Sequence, residues 1–295
     1  MKTEKNILIA FLLNLFFAVF EFAGGAFTKS VAIMSDAVHD LGDAMSIGIS
    51  WALEKKSKKQ PDKTHTYGYA RYSVIGSVIT TVVLLFGSVF MIYHSVLRIL
   101  HPIAIRYDSM IFIGIFGVIV NGAAAFFTRE GNSLNQKAVN LHMLEDVLGW
   151  FVVLIGAVVM RFTDIPLIDP LMSLGVSAFI LVHALKNLKD SLDIFLEKVP
   201  QELDVAEIGE HLLEIEGVEG IHHLHLWSMD GQNHYATLHA VIDADAAKIK
   251  QMIRAELAEH NIVHATIETE RTDETCTQEN CRVETHRATG HHHHH

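Results

Sequence analysis

The chain has 295 residues, half of them hydrophobic, and a formal net charge of −11. That length holds one membrane domain and one small soluble domain, and the acidic balance argues against nucleic acid as a partner. Two cysteines, Cys276 and Cys281, are too few for a secreted disulfide scaffold.

A membrane-spanning helix needs about 20 mostly apolar residues. Six blocks meet that need: 7–27, 31–53, 72–100, 109–128, 138–162 and 167–192. The first is too long, and too polar in its middle, for a cleaved signal peptide. An even number of spans puts both termini on one side. Lys55, Lys56, Lys58, Lys59, Lys63 and Arg71 join the second span to the third, and Arg129 and Lys137 join the fourth to the fifth. Lys186, Lys189 and Lys198 lie at and after the end of the sixth. The opposite loops hold only Lys29, Arg106 and Arg161, with Arg98 near the end of the third span. Positive charge marks the cytoplasmic side, so both termini are predicted cytoplasmic, with the chain in the cell (inner) membrane.

Pro200 opens a different regime. Residues 203–215 read as an amphipathic helix and 221–229 as a strand. Asp230-Gly231 reads as a hairpin turn and 234–242 as its partner strand, followed by a helix over 246–260 and a strand over 265–270. The order αββαβ predicts a small α+β domain with helices on one face of a sheet. Strand alternation predicts His223, His225 and Trp227 on one face, and His222 and Leu224 on the other. The expected organisation is a six-helix membrane domain over 1–199, a cytosolic α+β domain over 200–272 and a polar tail over 273–295. The last five residues of that tail, all histidine, read as a purification tag.

The second span carries Asp36, His39, Asp40 and Asp43. A charge at the bilayer centre costs about 2.5–3.5 kcal/mol on insertion scales, so these groups need a reason. At about 100° per residue they fall in one stripe about 100° wide. His39 and Asp43 stand one turn apart on one face, as i and i+4. The fifth span repeats the device with His142 and Asp146, and Glu145 sits at the edge of that face. A lone intramembrane His or Asp is more often a helix–helix hydrogen bond. The same pair in two spans points instead to a shared metal site. If the two spans pack together, two neutral imidazoles and two carboxylates neutralise one divalent cation. Four mixed N and O donors suit tetrahedral zinc, with cobalt or cadmium as substitutes, whereas manganese, magnesium and calcium prefer more oxygen. Asp36 and Asp40 either accept a hydrogen bond from a ligand histidine or line a water cavity. Asn14 and Glu21 of the first span either line that cavity or bridge helices.

Read in order, several stretches carry a family resemblance. They are Ser35-Asp36-Ala37-Val38-His39-Asp40-Leu41-Gly42-Asp43, Tyr67-Gly68-Tyr69, Leu141-His142-Met143-Leu144-Glu145-Asp146, Asp169-Pro170 and His222-His223-Leu224-His225-Leu226-Trp227. Together they resemble the cation diffusion facilitators, a family of six-span metal–proton antiporters, over nearly the whole chain. The resemblance implies that His39, Asp43, His142 and Asp146 form a transport site of zinc type. It implies a homodimer joined partly through metallochaperone-like cytosolic domains, and a zinc patch at His222, His239 and Glu268. Cys276 and Cys281 are candidates to close that patch as thiolates, or else are two free thiols on the tail. His260 and His264 read as surface residues or helix-end charges. Three departures stand out. Asp62 and His65 match two positions of a loop metal site found in some members, but Tyr69 stands where its second histidine would be. Glu145 replaces a small residue. Ala70 and Tyr72 end the loop, where His/Lys-Ala-Glu is commoner.

The expected activity is export of Zn2+ (or Co2+, Cd2+) in exchange for protons by alternating access, since imidazole titrates near pH ~6.5. The ion is cargo, no other cofactor is expected, and the partners are metal ions, protons, lipid and a second copy of the chain. Two readings compete. One is a membrane di-metal enzyme, suggested by the i, i+3 spacing of His142 and Glu145 but lacking a His-Glu-x-x-His motif. The other is a metal-sensing scaffold that moves nothing.

Overall fold

A computed structural model of the chain describes residues 2–28, 31–100, 107–130, 133–163, 167–274 and 276. Six long helices come first: α1 (Lys2–Thr28), α2 (Val31–Ser57), α3 (Arg71–Leu100), α4 (Tyr107–Thr128), α5 (Leu134–Thr163) and α6 (Ile168–Phe195). A smaller unit follows, made of α7 (Val205–Leu213), β1 (Val218–Ser228), β2 (His234–Ile242), α8 (Ala246–Glu259) and β3 (Ile262–Arg271).

The apolar blocks predict the helices but not their ends. α1 starts at Lys2 and α5 at Leu134, ahead of the expected 7 and 138. Hydropathy marks only the part of a helix that suits hydrocarbon, whereas backbone hydrogen bonding continues into polar end turns. Among the described residues, α1, α3 and α5 contain stretches long and apolar enough to cross a membrane. α2 carries more charge than that.

Large apolar side chains such as Phe86, Phe112 and Phe126 are exposed on the helical unit. Polar ones such as Ser77, Thr81 and Asn121 are buried. This inversion of a water-soluble protein fits a solvent of lipid, where helices associate through small and polar residues. Asn187 of α6 donates to Thr81 Oγ1 of α3 at 2.6 Å, and Ser77 and Ser191 hydrogen-bond at 3.0 Å. Gly117 of α4 lets Trp150 of α5 approach so closely that a Cβ there would lie 2.6 Å from the indole.

In the smaller unit, Asp204 caps α7 by accepting from Ala206 N at 2.8 Å. Asp245 caps α8 by accepting from Ala247 N at 3.0 Å. Both helices lay one apolar face, including Ile208, Leu212, Ile253 and Leu257, against Leu226, Leu238 and Ile267 of the sheet. The strand order is β1-β2-β3, antiparallel then parallel. Strands β1 and β3 begin three residues earlier than expected, because Val218 and Ile262 are buried and paired. Even positions of β2 are buried under the helices, which leaves Tyr235, Thr237 and His239 on the open face.

The pairing of β1 with β2 slips between Val218 and Gly220 and again between His222 and His225, and the second slip breaks the expected alternation of the histidines. His222 pairs with His239 but His225 pairs with Thr237, so β1 carries one extra residue there. His223 takes φ +52°, in the left-handed region. This is a β-bulge, and it turns His223 toward the neighbourhood of His222 instead of to the opposite face.

Candidate metal centre

α2 and α5 pack together in the helical unit, and their charged stripes meet. Asp43 and His142 are 5% and 3% exposed. His142 Nε2 lies 3.6 Å from Asp43 Oδ2, within ion-pair range but beyond a hydrogen bond. One ligand atom each from Asp43, His142 and Asp146 fall within 4.8 Å of one another. Neither ring nitrogen of His142 has a hydrogen-bond partner among the described residues. A buried polar atom left so is costly, unless something else completes it. Asn14 of α1 donates to Asp146 Oδ2 at 3.4 Å, so the first helix touches the group as well. His39 lies on α2 one turn before Asp43, but its side chain, like that of Asp36, lies outside the described residues. Glu145 accepts from Ser88 of α3 at 3.2 Å.

A further buried carboxyl escaped the sequence reading. Glu54 is 3% exposed near the end of α2. It accepts from Ser73 at 2.7 Å and from Asn135 at 3.3 Å, with Lys58 Nζ at 3.6 Å. Asn135 also donates to the Ser50 carbonyl at 2.9 Å, and its own carbonyl accepts from the Ser50 hydroxyl. The signal was there to read. Ser50 and Glu54 follow Asp43 by seven and eleven residues, which keeps both within about 20° of its face.

In the loop after α2, the Asp62 carboxylate is engaged on several sides. Lys59 Nζ lies at 2.8 Å and Tyr69 Oη donates at 2.7 Å. The Thr64 and His65 amides each donate to Oδ1 at 3.0 Å. These hydrogen bonds, that of Lys59 foremost, hold the Asp62 carboxyl well below the usual range. Asp62 and its hydrogen bond in turn raise the Lys59 ammonium.

On the open face of the sheet, His222, His223, His239 and Cys276 bring ligand atoms within 4.8 Å of one another. His223 Nε2 lies 3.3 Å from Cys276 Sγ. His223, His239 and Cys276 border a groove of about 530 Å³. His239 meets a carboxylate at each nitrogen, Glu268 at Nε2 (3.2 Å) and Glu270 at Nδ1 (2.6 Å). Glu270 also lies 3.3 Å from His222 Nε2. Sequence reasoning named Glu268 and missed both Glu270 and His223. Glu270 was accessible as the next residue on the same face of β3. The bulge that recruits His223 leaves no mark in hydrophobic pattern. Burial lowers the His223 imidazole from its ordinary range, helped by the neighbouring His239 and His222 rings. Burial pushes the Glu270 carboxyl up, but the His239 hydrogen bond and the His222 charge outweigh it, and the net shift is downward. Cys281 lies outside the described residues.

Known proteins match this arrangement along its length. Residues 7–196 match the cation efflux transmembrane domain, and residues 200–272 match the cytoplasmic domain of cation efflux proteins. A zinc transporter, ZitB, of Yersinia pestis is 34% identical over 304 residues, covering 100% of this chain and 96% of the relative. A cadmium, cobalt and zinc/H(+)-K(+) antiporter of Bacillus velezensis is 31% identical over 306 residues, covering 99% and 97%. The metal cation efflux system protein CzcD of Cupriavidus metallidurans is 30% identical over 276 residues, covering 90% and 86%. With both family models matched in order and relatives aligned end to end, this chain belongs to the cation efflux, or cation diffusion facilitator, family of membrane proteins.

Proposed function

We propose that the chain exports divalent transition-metal cations across the cell (inner) membrane, zinc first, with Co2+ and Cd2+ as further cargo. Asp43, His142 and Asp146 bind the ion, and His39 completes the set of four. The observation that carries this reading is His142: buried between two carboxyl groups, with neither ring nitrogen hydrogen-bonded among the described residues. Two nitrogens and two carboxylate oxygens suit zinc in number, type and charge. Similarity to relatives named for zinc, cobalt and cadmium supports the same cargo.

Protons are the counter-ion in this account. A ligand histidine must be neutral to bind metal, so loading releases protons and protonation expels metal. Exchange across a gradient then needs only that the site open to each side in turn. Residues 1–199 carry the transport path, and both termini face the cytoplasm. Residues 200–272 join two copies of the chain and hold metal through His222, His223 and His239, with Glu268, Glu270, Cys276 and Cys281 supplying the remaining donors. Residues 273–295 form a polar tail. The chain performs no covalent chemistry on a substrate.

The test is Zn2+ uptake by proteoliposomes at a series of imposed pH gradients. The expected result is uptake driven by an acidic lumen, with alkalinisation of the lumen as protons leave in exchange for Zn2+. Uptake indifferent to the gradient, with no change in lumenal pH, would contradict proton exchange.

A further inference from the structure

The helix side of the smaller unit carries a separate group of metal-type donors. His211 lies in the last turn of α7, Glu256 in the last turn of α8, and His260 caps α8 four residues on. His211 Nδ1 lies 3.2 Å from Glu256 Oε1 and 3.4 Å from His260 Nε2. His260 Nε2 lies 3.6 Å from the same Glu256 Oε1. The three side chains are 39%, 27% and 22% exposed for His211, Glu256 and His260. His223 and His239, in contrast, border the groove on the open face of the sheet.

These distances have a specific meaning. A tetrahedral zinc ion with bonds of about 2.0–2.1 Å holds its donor atoms about 3.3–3.4 Å apart. The three donors already stand at 3.2, 3.4 and 3.6 Å, which is one triangular face of such a tetrahedron. A metal near the centre of that face needs no backbone movement. Hydrogen bonding alone satisfies the group less well. If both rings donate to the shared Oε1, two N–H groups face each other 3.4 Å apart with their positive ends converging. A cation in place of those protons lets both nitrogens and the oxygen act as lone-pair donors at once.

We propose that His211, Glu256 and His260 form a divalent transition-metal site that ties the last turn of α7 to that of α8. Two imidazoles and one carboxylate are a zinc-type donor set, and the partial exposure leaves a fourth position for water. The site lies within one copy of the chain. It is independent of the membrane site, so the failure of either proposal leaves the other standing.

The experiment uses the purified full-length chain, stripped of metal and then equilibrated with Zn2+ or Co2+. Bound metal per chain is measured for wild type, for His211→Ala/His260→Ala and for Glu256→Gln. All three proteins share every other site and the terminal histidines, so those contributions cancel. The double variant should hold about one Zn2+ per chain fewer, with a matching loss of the visible absorption of tetrahedral Co2+. Wild type should also gain more thermal stability from Zn2+ than the double variant does. Glu256→Gln keeps the side-chain shape and reads the same loss if the double variant fails to fold. An unchanged metal count and cobalt spectrum would overturn the proposal. So would a lower metal-free melting temperature with the count unchanged, which would identify a hydrogen-bonded triad that holds no metal.

Discussion

Gly76 of α3 sits where helix packing and helix propensity pull in opposite directions. A Cβ at this position would lie 2.7 Å from Asn135 Oδ1 and 2.9 Å from its Cγ and Nδ2. Ordinary contact begins near ~3.5 Å, so the Asn135 amide must retreat by about 0.8 Å. It has no room to do so cheaply. Asn135 is fully buried and is hydrogen-bonded to the Ser50 carbonyl and hydroxyl and to Glu54. Each buried group orphaned by its retreat costs about 1–3 kcal/mol, and one or two would be lost. Alanine returns about 1 kcal/mol in helix propensity. The net expectation for Gly76→Ala is destabilisation by about 0–5 kcal/mol, centred near 2. Gly87 on the same helix is the control, because a Cβ there meets nothing within 4 Å. Gly87→Ala should be stabilising by up to about 1 kcal/mol. Thermal unfolding of both variants in one detergent, followed by tryptophan fluorescence, reads the two signs. Gly76→Ala melting at or above wild type would refute the assignment of Asn135 as a fixed, hydrogen-bonded wedge between α2, α3 and α5.

Two further predictions concern the water-exposed parts. His223 at φ +52° carries a left-handed backbone that costs a non-glycine residue about 1–2 kcal/mol. Without metal, His223→Gly should therefore be more stable than His223→Val by at least that amount, while both lose zinc affinity; equal stability would mean the bulge is unstrained. In the loop, the Asp62 carboxyl is depressed below its ordinary 3.8. A depressed carboxyl contributes stability above its unfolded value, and that stability is lost only as pH falls through the folded one. Exchange protection of the Thr64 and His65 amides, corrected for intrinsic rates, should hold from pH ~7 to ~5 and decline only below the ordinary carboxylate range. Loss of protection between those two values would show that Asp62 does not anchor the loop.

Much of this organisation was legible in the chain itself. The α+β order after Pro200, and the i, i+4 spacing of His142 and Asp146, depend on local periodicity, which sequence carries directly. Helix α2 could be read as a functional helix because Asp36, His39, Asp40 and Asp43 contradict its hydrophobic surroundings. The less legible features depend on pairing between distant segments. Glu54 looks like the start of a soluble, charged tail until Ser73 and Asn135 close over it. His223 changes face through one extra residue in a strand, and no side-chain pattern announces a bulge. His260 reads as a surface residue until α7 brings His211 within 3.4 Å of it. Register and helix docking decide such cases, and neither is written in a single segment.

Asp43, His142 and Asp146 are proposed to bind the transported ion. Asp146→Asn tests this most directly, because the amide oxygen can still accept from Asn14 while the charge and a metal ligand are removed. Zn2+ uptake by proteoliposomes should be measured for wild type and Asp146→Asn, with melting temperature confirming that both are folded. Loss of even an outer partner of a metal ligand costs about 10–100-fold, so loss of a ligand itself should reduce uptake by at least about 100-fold. A folded Asp146→Asn protein that transports Zn2+ like wild type would contradict the account.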